Sequence, residues 1–478
     1  QLEFTWVVQT DPTDSPEQQQ LSSNSFFLQS VETSHYLLWS YDGVLPTEVP
    51  ALESWISDAL QSEEKSTALG ASLVWLSCRL GRSLHFVRLF AVSDDLQEEW
   101  ALSPGFQFLH RRSPQRQNAW QPDESTQSLI QPYSSEIRLR LPEIVTQALL
   151  KATSNLAGDV LQLAHLWQNL SDESLEVWFN KICRQYFPRI TSLKLAHIAG
   201  LNAFQKTGDH NFSRMVASHP NSGLPGACGY ATWDIKMLEK GLALPALVNT
   251  ELANNPNVMG SLLAPLASVI EQEIRHATEL LEASRAAGDW LSFHNQFSQY
   301  CVVALYAATG CRYLRDPFES LAHFNWDYDV VYINDKTDEG LHSGRLVPLP
   351  SSISKLIHAY LNYLDNLATA IQPLRPELSE NLRLLVEGGS PAMPLFFQLD
   401  NALKWHPMGD SDLPGLPLLT WALPSNVFRH RFAQLLAQAG VSIEVVDGWM
   451  GHSERGVSSY SDYSPRCWIS DASSYRQE

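Results

Sequence analysis

The sequence predicts a multidomain, mainly α protein with small β elements. Three observations carry this. The chain has 478 residues, more than one ordinary core accommodates, so about two to four domains are expected. From about residue 135 onward, apolar side chains recur at helical spacing. Strand-like runs are short, and fall in the first hundred residues and in one hairpin pattern after residue 325.

In chain order, residues 1–23 are polar and Pro-containing, as at a loose terminus. The runs SFFLQSV, HYLLWS and SLHFVRLFAV read as strands, with helices over 51–61 and 67–79, so 1–110 is expected to be an acidic α+β module. Pro, Gln and Ser dominate 111–134, which reads as a linker. Helical patterns fill 135–257, including GDVLQLAHLWQNL and DESLEVWFNKICRQYF behind Asp caps. The last domain, 258–478, opens with helices over 259–287 and 290–308. It continues through strand signals (DVVYIND, RLVPLP), a helix over 351–370 and a Pro- and Gly-rich loop at 388–425.

Net charge is −19, which opposes broad affinity for nucleic acid because phosphate contacts need Lys and Arg. The excess is uneven. Residues 1–100 hold 15 acidic and 4 basic side chains (net −11), 101–300 hold 17 and 16, and the remainder hold 20 and 13 (net −7). The N-terminal module is therefore expected to meet other proteins rather than DNA. Six scattered cysteines form no C-x-x-C pair and no metal-ligand spacing, so free buried thiols in a reducing cytoplasm are expected, with neither metal nor cofactor. No apolar run is long enough to span a membrane, and no signal peptide opens the sequence as given.

Four features follow one another after residue 300: Thr309-Gly310-Cys311-Arg312 closing an apolar helix; Lys336 where the first strand of the hairpin gives way to its turn; Asn426-Val427-Phe428-Arg429-His430 opening a helix; and Gly451-His452 followed by Tyr460 and Tyr463. Singly each is weak: TGxR is an ordinary helix end, a turn Lys is usually solvated, and a Tyr usually packs. Their order and spacing are far more specific. Together, over roughly 258–465, they resemble the tyrosine recombinase (phage integrase) superfamily, and most nearly the large integrase-like proteins of mobile elements. That family carries T-G-x-R, a hairpin Lys, H-x-x-R-H, G-H and then a nucleophilic Tyr. The ending YSDYSP resembles the Y-S-x-x-S-P of the large integrases.

The resemblance implies a C-terminal catalytic domain, helical with a small antiparallel sheet, behind a helical core-DNA-binding domain at 135–257. It implies a site-specific recombinase that cuts and rejoins DNA through a 3′-phosphotyrosyl intermediate. Such enzymes work as homo-oligomers, usually tetramers, on paired double-stranded sites, here in the cytoplasm at the nucleoid, with accessory proteins reached through the N-terminal module. The residue types suit the chemistry. Arg312 and Arg429 can hold the non-bridging phosphate oxygens with planar geometry. Lys336 can protonate the leaving 5′ oxygen, and His452 can bind the phosphate or orient the nucleophile. Tyr460 would attack, so that rejoining needs no ATP.

Three positions depart from the family pattern. Asn426 stands where the family has its first His, and an amide cannot exchange a proton near neutral pH. Arg315 replaces an acidic residue. Tyr460 and Tyr463 lie eight and eleven residues after His452, neither at the commonest spacing, so Tyr463 stays open as the alternative nucleophile. Two rival functions remain: a recombinase-derived DNA-binding protein without cleavage, and an acidic protein-interaction scaffold.

Overall fold

The computed structural model describes residues 43–478 apart from 95–99, 113–119, 132–135, 155–161, 218–225, 248–258, 262, 313–317, 319, 336–343, 390–391, 409–417, 422, 425, 453–466 and 476–478. It is mainly helical with small, largely antiparallel sheets. Among the described residues no helix is long and apolar enough to cross a membrane. The chain divides into two units, one of residues 1–119 with 132–260 and one of 120–131 with 261–478.

In the first unit, α1 (Val49–Leu60) carries Pro50 in its first turn, where a missing N–H costs nothing. The run ALGASLVWLSCRL builds α2 (Lys65–Leu80), buried along nearly its whole length. The expected strand SLHFVRLFAV is instead a short helix, α3 (Leu84–Val87), then β1 (Ala91–Val92). Ser83 decides this, because its Oγ accepts from the Phe86 N–H and caps a helical turn. The runs SFFLQSV and HYLLWS lie outside the described residues.

The chain continues through β2 (Trp100–Leu102), β3 (Phe108–Arg112) and β4 (Glu136–Arg140). Five helices follow: α4 (Glu143–Thr153), α5 (Leu163–Leu170), α6 (Leu175–Tyr186), α7 (Ser192–Thr207) and α8 (His210–Ala217). Then come β5 (Thr232–Trp233), α9 (Ile235–Leu242), β6 (Ala246–Leu247) and β7 (Met259–Gly260). One sheet has the order β1-β2-β3-β4-β6, with β1 and β2 parallel and the other pairs antiparallel. The expected 1–110 module and 135–257 helical domain therefore share a sheet, and α2 packs on both α4 and α7. The cause lies in EIRLR: Ile137 and Leu139 are buried while Arg138 and Arg140 are exposed, the two-residue period of a strand. Two buried guanidiniums close the end of α8: Arg82 donates to the Val216 carbonyl at 3.1 Å and Arg111 to that of Met215 at 3.4 Å, the latter stacked over Trp100.

The second unit begins with part of the expected linker. Ile130 is buried, the Gln131 N–H donates to the Ala264 carbonyl at 2.7 Å, and the Leu266 N–H donates to that of Leu129 at 3.0 Å. Residues 120–131 are thus fastened as a strap, because backbone pairing and one apolar side chain give them partners that solvent would otherwise supply. The helix expected from 259 begins only at α10 (Ala267–Ala286), after Pro265. A turn at Gly288 leads to α11 (Trp290–Thr309). The sheet β8 (Phe324–Asn325), β9 (Val330–Ile333) and β10 (Arg345–Pro348) follows, antiparallel with β9 central. Next come α12 (Ser351–Ile371) and α13 (Pro376–Val386). A hairpin of β11 (Phe397–Leu399) and β12 (Trp405–Pro407) lies where only loop was expected. The unit closes with α14 (Val427–Gln438), α15 (Ile443–Trp449) and α16 (Trp468–Tyr475), whose Trp468 Nε1 donates to the Leu346 carbonyl.

Helix α11 runs through the core of this unit. It contacts α10, α12, α14 and β11, and its Cys301, Leu305 and Tyr306 are buried. His294 on the same helix lies wholly buried against Phe397 and Tyr363, and burial pushes its pKa down to about 4. The folded value lies below the unfolded one near 6.5, so the neutral ring's contribution is complete above pH 6.5 and fades as the pH falls towards 4. The urea midpoint should drop across that window by an amount worth about 2–3 kcal/mol. His294→Phe should flatten the acid limb, and curves that fall in parallel would contradict this assignment.

Candidate active site

Four segments far apart in sequence meet in the second unit. The first is the end of α11. Thr309 turns its hydroxyl back to the Leu305 carbonyl, and Gly310 takes the left-handed conformation (φ 58°) that ends the helix. Only glycine fits there, since a Cβ would sit 2.5 Å from the Phe432 ring. Cys311 is buried, and burial pushes its thiol up to about 12. The chain then emerges at Arg312, whose backbone N–H donates to Asp335 Oδ2 at 2.5 Å.

The second segment is the β9–β10 hairpin. Asp335, just beyond β9, makes a two-pronged ion pair with Arg345 at 2.6 and 2.9 Å, with both side chains nearly inaccessible. Burial alone would raise the Asp335 carboxyl. The hydrogen bonds and charge of Arg345, with the Arg312 N–H, outweigh it and hold the pKa at about 2. Arg345 Nε also donates to the Trp449 carbonyl at 2.6 Å. Gly451 (φ 68°) lies so close that a Cβ would stand 2.9 Å from Arg345 Nη1. One guanidinium thereby ties the hairpin to the end of α15.

The third and fourth segments are α14 and the Gly451-His452 turn. Arg429 is buried in the first turn of α14, where Nη1 donates to the Gly310 carbonyl at 2.8 Å and Nη2 to that of Met450. Nη2 also lies 3.0 Å from His452 Nε2. Arginine has only donors, so Nε2 must accept and the ring proton belongs on Nδ1, 3.1 Å from Asp447 Oδ1. Burial pulls the His452 pKa down, the hydrogen bond to Asp447 works upward, and the Arg429 charge adds to the fall. The imidazole is therefore neutral near pH 7.

The expected site residues thus divide. Arg312, Arg429 and His452 come together. Asn426 is exposed at the start of α14, one turn before Arg429, with no side-chain cap bond. Lys336 and both candidate nucleophiles, Tyr460 and Tyr463, lie outside the described residues, as does Arg315. His430 engages Ser261 at 2.6 Å. Three residues missing from the sequence reading hold the site together: Asp335, Arg345 and Asp447. The only sequence signal for the first two was an Asp and an Arg flanking one hairpin turn. Asp447, five residues before His452, carried none. Among the described residues no cluster of three or more His, Cys, Asp or Glu is placed to hold a metal.

Arg345→Ala would leave a buried carboxylate without its charge partner, at a cost of about 3–5 kcal/mol. Urea denaturation should report that loss, with the double variant Asp335→Ala/Arg345→Ala losing less than the sum of the two single variants. A loss below about 1 kcal/mol for Arg345→Ala would remove the pair from its structural role. The chain matches no known protein-family model, and no similar sequence is found among curated proteins.

Proposed function

We propose that the chain is a site-specific DNA recombinase that cleaves and rejoins DNA through a 3′-phosphotyrosyl intermediate, in the integration or excision of a mobile element. The observation that carries this reading is the meeting of the TGCR end, the hairpin flank, the Arg429 helix and the Gly-His turn around two buried guanidiniums, those of Arg345 and Arg429. Displacement at a phosphodiester builds charge on the non-bridging oxygens, and preorganised cations stabilise it without reorganising. Arg312 and Arg429 would supply that charge. Lys336 would protonate the leaving 5′ oxygen, and Tyr460, or else Tyr463, would form the covalent intermediate. Paired DNA sites would assemble the chain as a homo-oligomer, a tetramer by resemblance, with the acidic N-terminal residues turned to protein partners.

A DNA-binding protein without cleavage is the second reading. Asn426, which cannot relay a proton, favours it.

The deciding experiment presents the full chain with nicked duplexes cut from the DNA that flanks its own gene. A covalent protein–DNA adduct is expected, with the DNA-linked peptide containing Tyr460. Tyr460→Phe should bind but form no adduct, while Tyr463→Phe should keep part of the activity. A linkage on Tyr463 would reassign the nucleophile, and binding without any adduct would favour the non-cutting reading.

Lys336→Ala should slow cutting by about 10²–10⁴-fold, the usual reach of general acid catalysis. A substrate with a 5′-bridging sulfur should recover much of that rate, because a thiolate leaves without a proton. Absence of rescue would give Lys336 another role.

A further inference from the structure

Transfer of a phosphoryl group to a phenol requires something to take the phenolic proton, and the described site narrows the choice. Arginines do not deprotonate, which removes Arg312 and Arg429. Asp335 is held at about 2 by Arg345, and the Cys311 thiol is pushed up to about 12. Asn426 does not titrate. Among the described residues of the site there remain His452 and Asp447, and the Asp447 carboxylate is engaged by the His452 ring, which leaves the imidazole as the acceptor beside Arg429.

Its orientation suits that task. Asp447, itself buried, accepts from Nδ1 at 3.1 Å, and its main-chain carbonyl accepts from the His452 N–H at 2.8 Å, so ring and backbone are both fixed. Nε2 is left without a proton and faces the Arg429 guanidinium at 3.0 Å. We propose that Asp447 is a positioning residue that keeps His452 with a bare Nε2 at the phosphate-binding guanidinium, making His452 the proton acceptor for the attacking phenol. The proposal rests on the recombinase reading.

A bound phosphate competes with Nε2 for the Arg429 N–H and forms the stronger, charge-assisted bond. Binding therefore releases the Nε2 lone pair as the phenol arrives. The phenolic proton passes to Nε2, the phenolic oxygen forms the new P–O bond, and the P–O5′ bond breaks with its electron pair on the 5′ oxygen. That oxygen takes its proton from the general acid. Rejoining runs in reverse: the 5′ hydroxyl returns its proton to the acid, and His452 gives its own to the departing phenolate.

Two measurements on the full chain test this. Long-range ¹⁵N NMR of histidine-labelled protein, with His452→Gln for assignment, should place the His452 proton on Nδ1 at pH 7. A proton on Nε2 would overturn the proposal. Adduct formation on the nicked flanking duplexes should fall about 10²–10⁴-fold in Asp447→Asn, with DNA binding unchanged.

The pH profile separates positioning from a merely structural role. Among the described residues, the charged groups facing His452 are Asp447 on α15, Arg429 on α14 and Arg312 beyond α11, and of these only Asp447 raises its pKa. The acid limb of the rate should therefore move to lower pH in Asp447→Asn, whereas local damage would lower the rate without moving the limb. An unchanged rate, or an unmoved limb, would overturn the base role of His452. If the unmodified chain binds the duplexes and forms no adduct, the recombinase reading falls and takes the base role with it, whichever nitrogen carries the proton.

Discussion

The buried ion pair between Asp335 and Arg345 is the contact on which the rest of the site depends. Each charge alone would cost several kcal/mol to remove from water, and the pair is sustainable only because its remaining hydrogen-bonding groups are also used. Asp335 takes the Arg312 N–H as well as both prongs of Arg345. Arg345 gives its Nε to the Trp449 carbonyl. Three segments are thereby held by one pair, and Gly451 is glycine because Arg345 occupies the space where a side chain would go. Any displacement of the hairpin would have to break charge-assisted bonds in an apolar interior, which makes the arrangement stiff.

Arg429 is accommodated differently, and the difference bears on function. The Gly310 and Met450 carbonyls that accept from it lie just past the C-termini of α11 and α15, where the helix dipoles place partial negative charge. Dipole ends and a neutral imidazole can bury a cation without cancelling it, as a carboxylate would. Asp335 is cancelled by Arg345, so Arg312 and Arg429 leave the site locally positive although the chain carries −19 overall. A local excess of positive charge attracts an anion over a short range even where the molecule as a whole is acidic.

Much of the fold was legible because helical periodicity is a strong local signal. The helix expected over 290–308 is α11 almost to the residue, and that over 351–370 is α12. What escaped was non-local. The strand β4 has the short alternation EIRLR inside a helical context, and only its pairing with β3 and β6 makes it a strand. The strap at 120–131 looked solvated because its anchors are backbone bonds to residues 264 and 266, which composition does not encode. In the site, Arg312, Arg429 and His452, which the structure brings together, could be picked out from their order and spacing. The residues that orient them could not, because an Asp with its charge partner ten positions on resembles any surface pair until the hairpin closes. Asp447 is hidden in the same way, within a helix whose polar face gives no sign that one carboxylate turns inward to His452.

The central claim is that these segments build a site for phosphoryl transfer through a covalent tyrosine, and the stereochemistry at phosphorus tests it most directly. Strand exchange would be run on a duplex whose scissile phosphate is a phosphorothioate of known configuration. Two in-line displacements, one by the tyrosine and one by the 5′ hydroxyl, predict net retention in the rejoined strand. Net inversion would mean a single displacement without a protein-bound intermediate, and would contradict the account.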